Sequence, residues 1–146
     1  MNLTDLQNMP FLVYSDPELG LAFRGKCPTE SVEQVTFFNR LRPAWPDTWG
    51  RLAVHPRNEG LKTGGQLRAV AKHKAEGMTP GAADIIIPGR TAFVCELKRR
   101  DPRQSSWQEG QIEYLTAAHE AGAFSCVAFG ADAAWQALRE WVAFNG

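Results

Sequence analysis

The sequence carries no excess of either charge: 16 Lys and Arg balance 16 Asp and Glu over 146 residues. Taken at face value, that balance argues against a nucleic-acid partner, because such proteins often carry a basic excess. Cysteine is scarce. Cys27, Cys95 and Cys126 are odd in number, far apart and without a CxxC pair. That usage speaks against a disulfide framework or a structural zinc site and points to a reducing cytoplasm. Long hydrophobic runs are missing too. Stretches such as Ile85-Ile86-Ile87 are far too short to span a bilayer, so no membrane partner is expected. The first ten residues have no basic cluster followed by an apolar run, so no secretory signal is expected there. No Gly-rich phosphate loop and no Ser-His nucleophile arrangement is found, which leaves a small-molecule α/β enzyme the weakest reading.

What is present is the composition of one globular domain, 44% apolar and 22% charged, long enough for a real hydrophobic core. The charge is not spread evenly. Residues 57–103 hold ten Lys and Arg against five Asp and Glu, and the remainder holds six against eleven. A neutral total thus hides a basic middle segment that can attract phosphates, although a solvated basic face has the same composition.

Residues 1–28 show scattered Pro and Gly and no sustained period, and read as an irregular arm or short elements packed on a domain of residues 29–146. Thr29 caps a predicted helix from Glu30 to Leu41, ended by Pro43 and Pro46. Trp49 to His55 reads as a short strand, and Gln66 to Glu76 as a helix stopped by Gly77. Two strands follow, Asp84–Ile87 and Thr91–Leu97, around Pro88-Gly89-Arg90. A helix from Ser105 or Ser106 to about Ala121, a strand Phe124–Phe129 and a helix from about Ala131 to Phe144 complete an α/β domain with a mixed sheet.

The hairpin carries the chemistry. With a three-residue loop, Asp84 lies directly opposite Glu96; with a two-residue loop it lies against Cys95 and beside Glu96. In the first register Asp84, Ile86, Val94, Glu96 and Lys98 share one sheet face. Directly opposed side chains have Cβ atoms about 4.5–5.5 Å apart, and two carboxylates at that separation repel unless a cation lies between them. Carboxylate oxygens suit a hard ion such as Mg²⁺, which keeps several waters and accepts phosphate oxygens as further ligands. A metal-bound water can attack phosphorus, and Lys98 can orient it, deprotonate it or stabilise the phosphate charge. Asp84 with Glu96-x-Lys98 is therefore a coherent constellation for phosphodiester cleavage. Carboxylates set in strands as apolar as Ile85-Ile86-Ile87 and Phe93-Val94-Cys95 are costly without such compensation.

These residues resemble the PD-(D/E)XK nuclease superfamily, and within it the VRR-NUC-like nucleases. The resemblance runs through Gly81-Ala82-Ala83-Asp84-Ile85-Ile86-Ile87-Pro88-Gly89 and Phe93-Val94-Cys95-Glu96-Leu97-Lys98-Arg99. It continues in Ser105-Ser106-Trp107-Gln108-Glu109-Gly110-Gln111, Tyr114-Leu115 and Gly122, and spans about Glu30 to Phe129. It implies a restriction-endonuclease-like core of helix, three-stranded meander, helix and strand. It also implies a metal held by Asp84, Glu96 and the backbone carbonyl of Leu97, with Lys98 as the catalytic lysine. Glu30, four residues before Gln34, is the favoured acid on the first helix, and Glu33 is the alternative. Gln111 matches the glutamine that contacts the attacking water, the lysine or DNA, with Gln108 as the alternative. Asn58 corresponds to an Asn that supports the site or touches the DNA backbone. His55 is a phosphate contact or a structural residue, and Glu59 a remote extra ligand. Arg99, Arg100, Arg103, Lys72, His73 and Lys74 are candidate phosphate contacts. Two features depart from the family: no proline directly precedes Asp84, Pro80 being four residues upstream, and residues 1–28 have no counterpart in the minimal core.

The expected function is a metal-dependent endonuclease that uses Mg²⁺, with Mn²⁺ as substitute, to cut DNA. Junctions, flaps or other branched DNA in phage-like recombination or repair are the expected substrates, in the cytoplasm of the host if the chain is phage-encoded. The alternative is a catalytically silent module that keeps the fold to bind DNA or a protein. A homodimer would suit junction cleavage, with Trp135, Trp141 or the arm as its surface unless they are core.

Overall fold

A computed structural model describes residues 1–56 and 66–145. Along the chain run α1 (Leu3–Gln7), β1 (Leu12–Tyr14), α2 (Glu30–Ala44), α3 (Trp49–Leu52), α4 (Gln66–Ala75), β2 (Ile85–Ile87) and β3 (Phe93–Lys98). A 3₁₀ turn at Pro102–Gln104, then α5 (Gln111–Glu120), β4 (Phe124–Phe129) and α6 (Ala131–Asn145), complete it. One sheet has the order β1-β4-β3-β2, parallel except for the β2–β3 hairpin. This is an α/β fold with a mixed sheet.

The sheet is covered on both faces. Phe37, Phe38 and Leu41 of α2 and Ala134, Leu138 and Trp141 of α6 pack on Ile85, Phe93, Cys95 and Leu97. Leu6 of α1 and Leu115 of α5 pack on Val94, Val127 and Phe129 from the other side. All six residues of β3 are buried, as a central strand between two helical layers must be. Glu96 and Lys98 therefore enter the interior with the strand that carries them. No helix among the described residues is long and apolar enough to cross a membrane.

Three expectations change. Trp49–His55 is not a strand: Trp49–Leu52 is a helical turn, and only Val54 joins the sheet, through an antiparallel bridge to Ile86. The cause is tertiary. Trp49 sits edge-on against Trp141 with ring centroids 4.8 Å apart, and Gly50 lies so close to α2 that a Cβ would come 2.8 Å from the Arg42 Cα. Secondly, α2 continues through Pro43, because a proline in the last turn costs a single backbone bond and Trp45 N–H still closes on the Leu41 carbonyl. Thirdly, α5 begins only at Gln111, since Gly110 is left-handed at φ +87° and stops the helix from extending back.

Residues 1–28 are more than an appendage. Their β1 pairs in parallel with β4, Leu12 opposite Cys126 and Tyr14 opposite Ala128. The rest is tied to the segment after β3: Gly25 N–H donates to Asp101, and Gln104 Nε2 donates to the Gly25 carbonyl. Trp141 is fully buried, its indole N–H donating to the Thr91 carbonyl, and Trp135 is half-buried against Phe37 and Trp45. Both tryptophans thus serve the core rather than an open surface.

Candidate functional site

The hairpin pairs Ile85 with Cys95, Ile86 with Val94 and Ile87 with Phe93. Continued by one residue, this register sets Asp84 directly opposite Glu96, as the three-residue-loop expectation requires. Asp84 Oδ2 accepts the Leu97 N–H at 2.9 Å, which pins the carboxylate to β3. The Asp84 carbonyl in turn meets His55 Nδ1 at 2.8 Å, so His55 braces the start of β2. Leu97 thus contributes its amide to the site.

Glu96 and Lys98 are each 1% exposed. The Lys98 ammonium donates to the Ser106 carbonyl at 2.6 Å and to Gln111 Oε1 at 2.8 Å, and lies 3.7 Å from Glu96 Oε1. The Trp107 ring sits 4.6 Å beneath it, a cation–π contact. Gln111 is the hinge of this group: its amide oxygen accepts from Lys98 and from Gln108 N–H, and its Nε2 donates to Glu96 Oε1 at 2.8 Å. Of the two candidate glutamines, Gln111 enters the cluster, and the Gln108 side chain turns to the Ser106 hydroxyl.

Glu96 Oε2 is buried without any hydrogen-bond partner, the one such side-chain atom among the described residues. Burial, and then the adjacent Asp84 carboxylate, push the Glu96 carboxyl well above the usual range, against the opposing pull of Lys98. A buried acceptor left unpaired costs about 1–3 kcal/mol, and more when charged. That cost calls for a cation or a proton at this point.

Glu30 and Glu33 part company. Glu33 Oε2 accepts the Ala131 N–H at 2.7 Å, so this buried acid caps the start of α6 and is spent structurally. Glu30, on the first turn of α2, is half-buried. Its carboxyl is raised by burial; Lys98 lowers it, Asp84 raises it and Arg99 lowers it, which puts Glu30 in the electrostatic field of the pair.

The basic candidates separate in the same way. Arg99 Nε donates to the Pro28 carbonyl at 3.0 Å and Nη2 to the Cys27 carbonyl at 2.6 Å, gripping the chain just ahead of α2. Arg100 is ion-paired with buried Asp16 and stacks over Phe23. Both were expected at phosphates, and their guanidinium groups instead hold residues 15–28 in place. Arg103 is exposed, 3.9 Å from Asp101. Lys72, His73 and Lys74 are exposed on α4, where Lys72 lies 3.8 Å from Glu76. Asn58 and Glu59 lie outside the described residues.

Gly81 and Gly110 carry no chemistry of their own, yet both shape the site. Gly81 has φ +81°, and a Cβ there would stand 2.3 Å from the Gly110 carbonyl carbon. The turn before Asp84 and the turn before Gln111 therefore pack backbone against backbone. This contact brings the β2 carboxylate and the α5 amide to one point. Two glycines twenty-nine residues apart would not be paired by any sequence period; their left-handed requirement was the available signal.

Among the described residues no three His, Cys, Asp or Glu side chains form a ready-made metal cage. The donor set would fit a hard cation held by two carboxylates: Asp84 and Glu96 face each other, and Glu96 Oε2 is a buried acceptor without a hydrogen-bond partner. Mg²⁺ is commonly bound by one or two carboxylates plus waters and substrate phosphates, so the absence of a full cage is compatible with it.

No protein-family model and no curated protein matches the chain. Among solved structures the chain is similar to one described as a "VRR_NUC domain protein", with a TM-score of 0.61 and 18% sequence identity over 83% of this chain and 92% of that chain. At that identity the likeness concerns architecture, and the chain has the fold of a VRR_NUC domain protein.

Proposed function

We propose that the chain is a metal-dependent endonuclease that hydrolyses DNA phosphodiester bonds, with Asp84 and Glu96 as ligands of Mg²⁺ or, in substitution, Mn²⁺. The observation that carries this reading is the unpartnered Glu96 Oε2 beside Asp84, with Lys98 buried 3.7 Å from the other oxygen of the same carboxylate. Glu30 is the third acid, close enough to share the cation through water or substrate.

The ion would supply a water of lowered pKa and a positive charge against the phosphate oxygens. The chain's own residues do the rest. A lysine ammonium has three donors, and Lys98 spends two on Ser106 and Gln111. The third is left for the attacking water or a phosphate oxygen. Gln111 holds Lys98 and Glu96 in register, so that charge developing on phosphorus meets a fixed donor without reorganisation. The Trp107 ring excludes water from the underside of the ammonium. Branched or flapped DNA, processed in recombination or repair, is the proposed substrate. A homodimer is the arrangement that junction cleavage would need, and the cytoplasm is the proposed compartment.

Cleavage of labelled linear, flapped and four-way DNA in Mg²⁺, compared with EDTA, tests the reading. Asp84→Ala, Glu96→Ala and Lys98→Ala should each lower the rate at least ~10²-fold with the fold retained, the scale expected for one acid–base or electrostatic group. Full activity in Glu96→Ala or in EDTA would refute it. DNA binding that persists in EDTA, with no cleavage in Mg²⁺, would favour the silent binding module.

A further inference from the structure

Beside the carboxylate cluster lies a cleft of about 470 Å³ between α2 and residues 53–55, whose lining includes Gln34, Phe38, Asn39, Arg42, Val54 and His55. One end adjoins the reaction centre: Gln34 is one helical turn beyond Glu30, and His55 holds the Asp84 carbonyl. From Glu30 to Arg42 the helix rises about 18 Å at ~1.5 Å per residue. At ~3.4 Å per stacked nucleotide of one strand, that is a run of about five nucleotides.

The lining is chemically mixed in a particular way. It offers two amide side chains, which can both donate and accept, and apolar surface from Phe38 and the half-exposed Val54. Among the described residues the lining contains no Asp or Glu. At the far end stands Arg42, exposed, its guanidinium 5.2 Å from the Phe38 ring. Neighbouring cations are engaged elsewhere: Arg40 by Asp132 and Trp135, Arg99 by two backbone carbonyls, Arg100 by Asp16. Among the described residues no carboxylate pairs with Arg42.

From this placement we infer that the cleft is the track of an unpaired DNA strand leaving the reaction centre, with Arg42 gripping a phosphate of that strand. Duplex DNA keeps its base faces stacked and its pairing edges occupied, offering only groove edges on a body too wide to enter a narrow cleft. An unpaired strand exposes bases to Gln34, Asn39 and Val54 while its backbone reaches the arginine, the usual combination for single-strand binding. The inference rests on the nuclease reading for the direction of the strand, and it deepens that reading by naming the substrate feature selected: a single-stranded flap or arm.

The test is anisotropy of a fluorescent oligodeoxythymidine and of a duplex of similar length, in Ca²⁺ over a salt series, for the wild-type chain, Arg42→Gln and the exposed Arg139→Gln on α6. Arg42→Gln should weaken single-strand binding by about tenfold at low salt and reduce the salt slope by ~0.7, the loss of one phosphate contact on a single strand. Its effect on the duplex should be smaller, and Arg139→Gln should bind like the wild type. An unchanged single-strand affinity in Arg42→Gln, or an equal loss on single strand and duplex, overturns the inference. Arg42 dependence in a chain that cuts nothing would sink the nuclease reading and leave the cleft assignment standing; Mg²⁺-dependent cleavage indifferent to Arg42 would do the reverse.

Discussion

Replacing Glu96 by Gln removes one negative charge from a point where Glu30, Asp84 and Glu96 crowd around a single buried ammonium. The wild-type side chain is 1% exposed and leaves Oε2 unpaired, whereas a Gln amide at that atom becomes a donor facing Asp84. Two effects compete. Lys98 loses a charged neighbour at 3.7 Å, but keeps carbonyl acceptors at 2.6 and 2.8 Å. The cluster sheds the cost of an unpaired buried oxygen and of carboxylate repulsion, at least ~2 kcal/mol. The second effect wins, because Asp84 and Glu30 still balance the one lysine. In EDTA at pH 8, Glu96→Gln should therefore melt above the wild type by ~4–8 °C, at about 2–4 °C per kcal/mol for a domain of this size. The sign of the pH dependence follows from the raised carboxyl. The Glu96 carboxyl, held above its ordinary 4.5, disfavours folding increasingly as pH rises from that value toward the folded-state pKa. The gap between variant and wild type should thus close as the pH is brought down toward 4.5. Mg²⁺ at a hundred times its dissociation constant should raise the wild-type stability by ~2.7 kcal/mol and leave the variant nearly unmoved. Differential scanning fluorimetry with and without chelator reads all three. Equal melting points in EDTA at pH 8, or a lower one for the variant, would refute the account of Glu96 as a ligand awaiting its cation.

Gly81→Ala should destabilise the chain by ~2–4 kcal/mol, combining the left-handed φ with overpacking against Gly110, and urea unfolding would show it as a lowered midpoint with an unchanged m-value. Asp16→Asn should lower stability at pH 7 by ~1–2 kcal/mol, since Asp16 accepts the Leu19 and Glu18 amides and pairs with Arg100. Its carboxyl is depressed first by the Leu19 amide, so that contribution exists above the ordinary 3.8 and disappears as pH falls through the lower folded-state value. A melting difference that persisted unchanged below that range would contradict the assignment.

How far the linear chain determined the molecule can be argued residue by residue. The Asp84/Glu96 juxtaposition was legible because a hairpin is local: period-two alternation and a short turn leave only two registers, and the structure has the one with Asp84 opposite Glu96. The strand Phe124–Phe129 and the cap at Thr29 were legible for the same reason, an apolar run between glycines and a hydroxyl ahead of a periodic segment. Tertiary packing decided the rest. Trp49–Leu52 coils because Trp141, ninety-two residues later, packs against Trp49, and no window around Trp49 contains that information. Glu33 caps α6 while Glu30 faces the cluster, a division that three residues of helix separation cannot settle without knowing where α6 begins. Arg99 and Arg100, which looked like the natural extension of a catalytic strand toward phosphate, are consumed by residues 15–28. The zero net charge therefore determined little on its own. Charges act through their neighbours in space, and the fold alone buries Glu96 and Lys98, spends Arg99 and Arg100, and leaves Arg42 exposed beside a cleft that has no acid among its described lining residues.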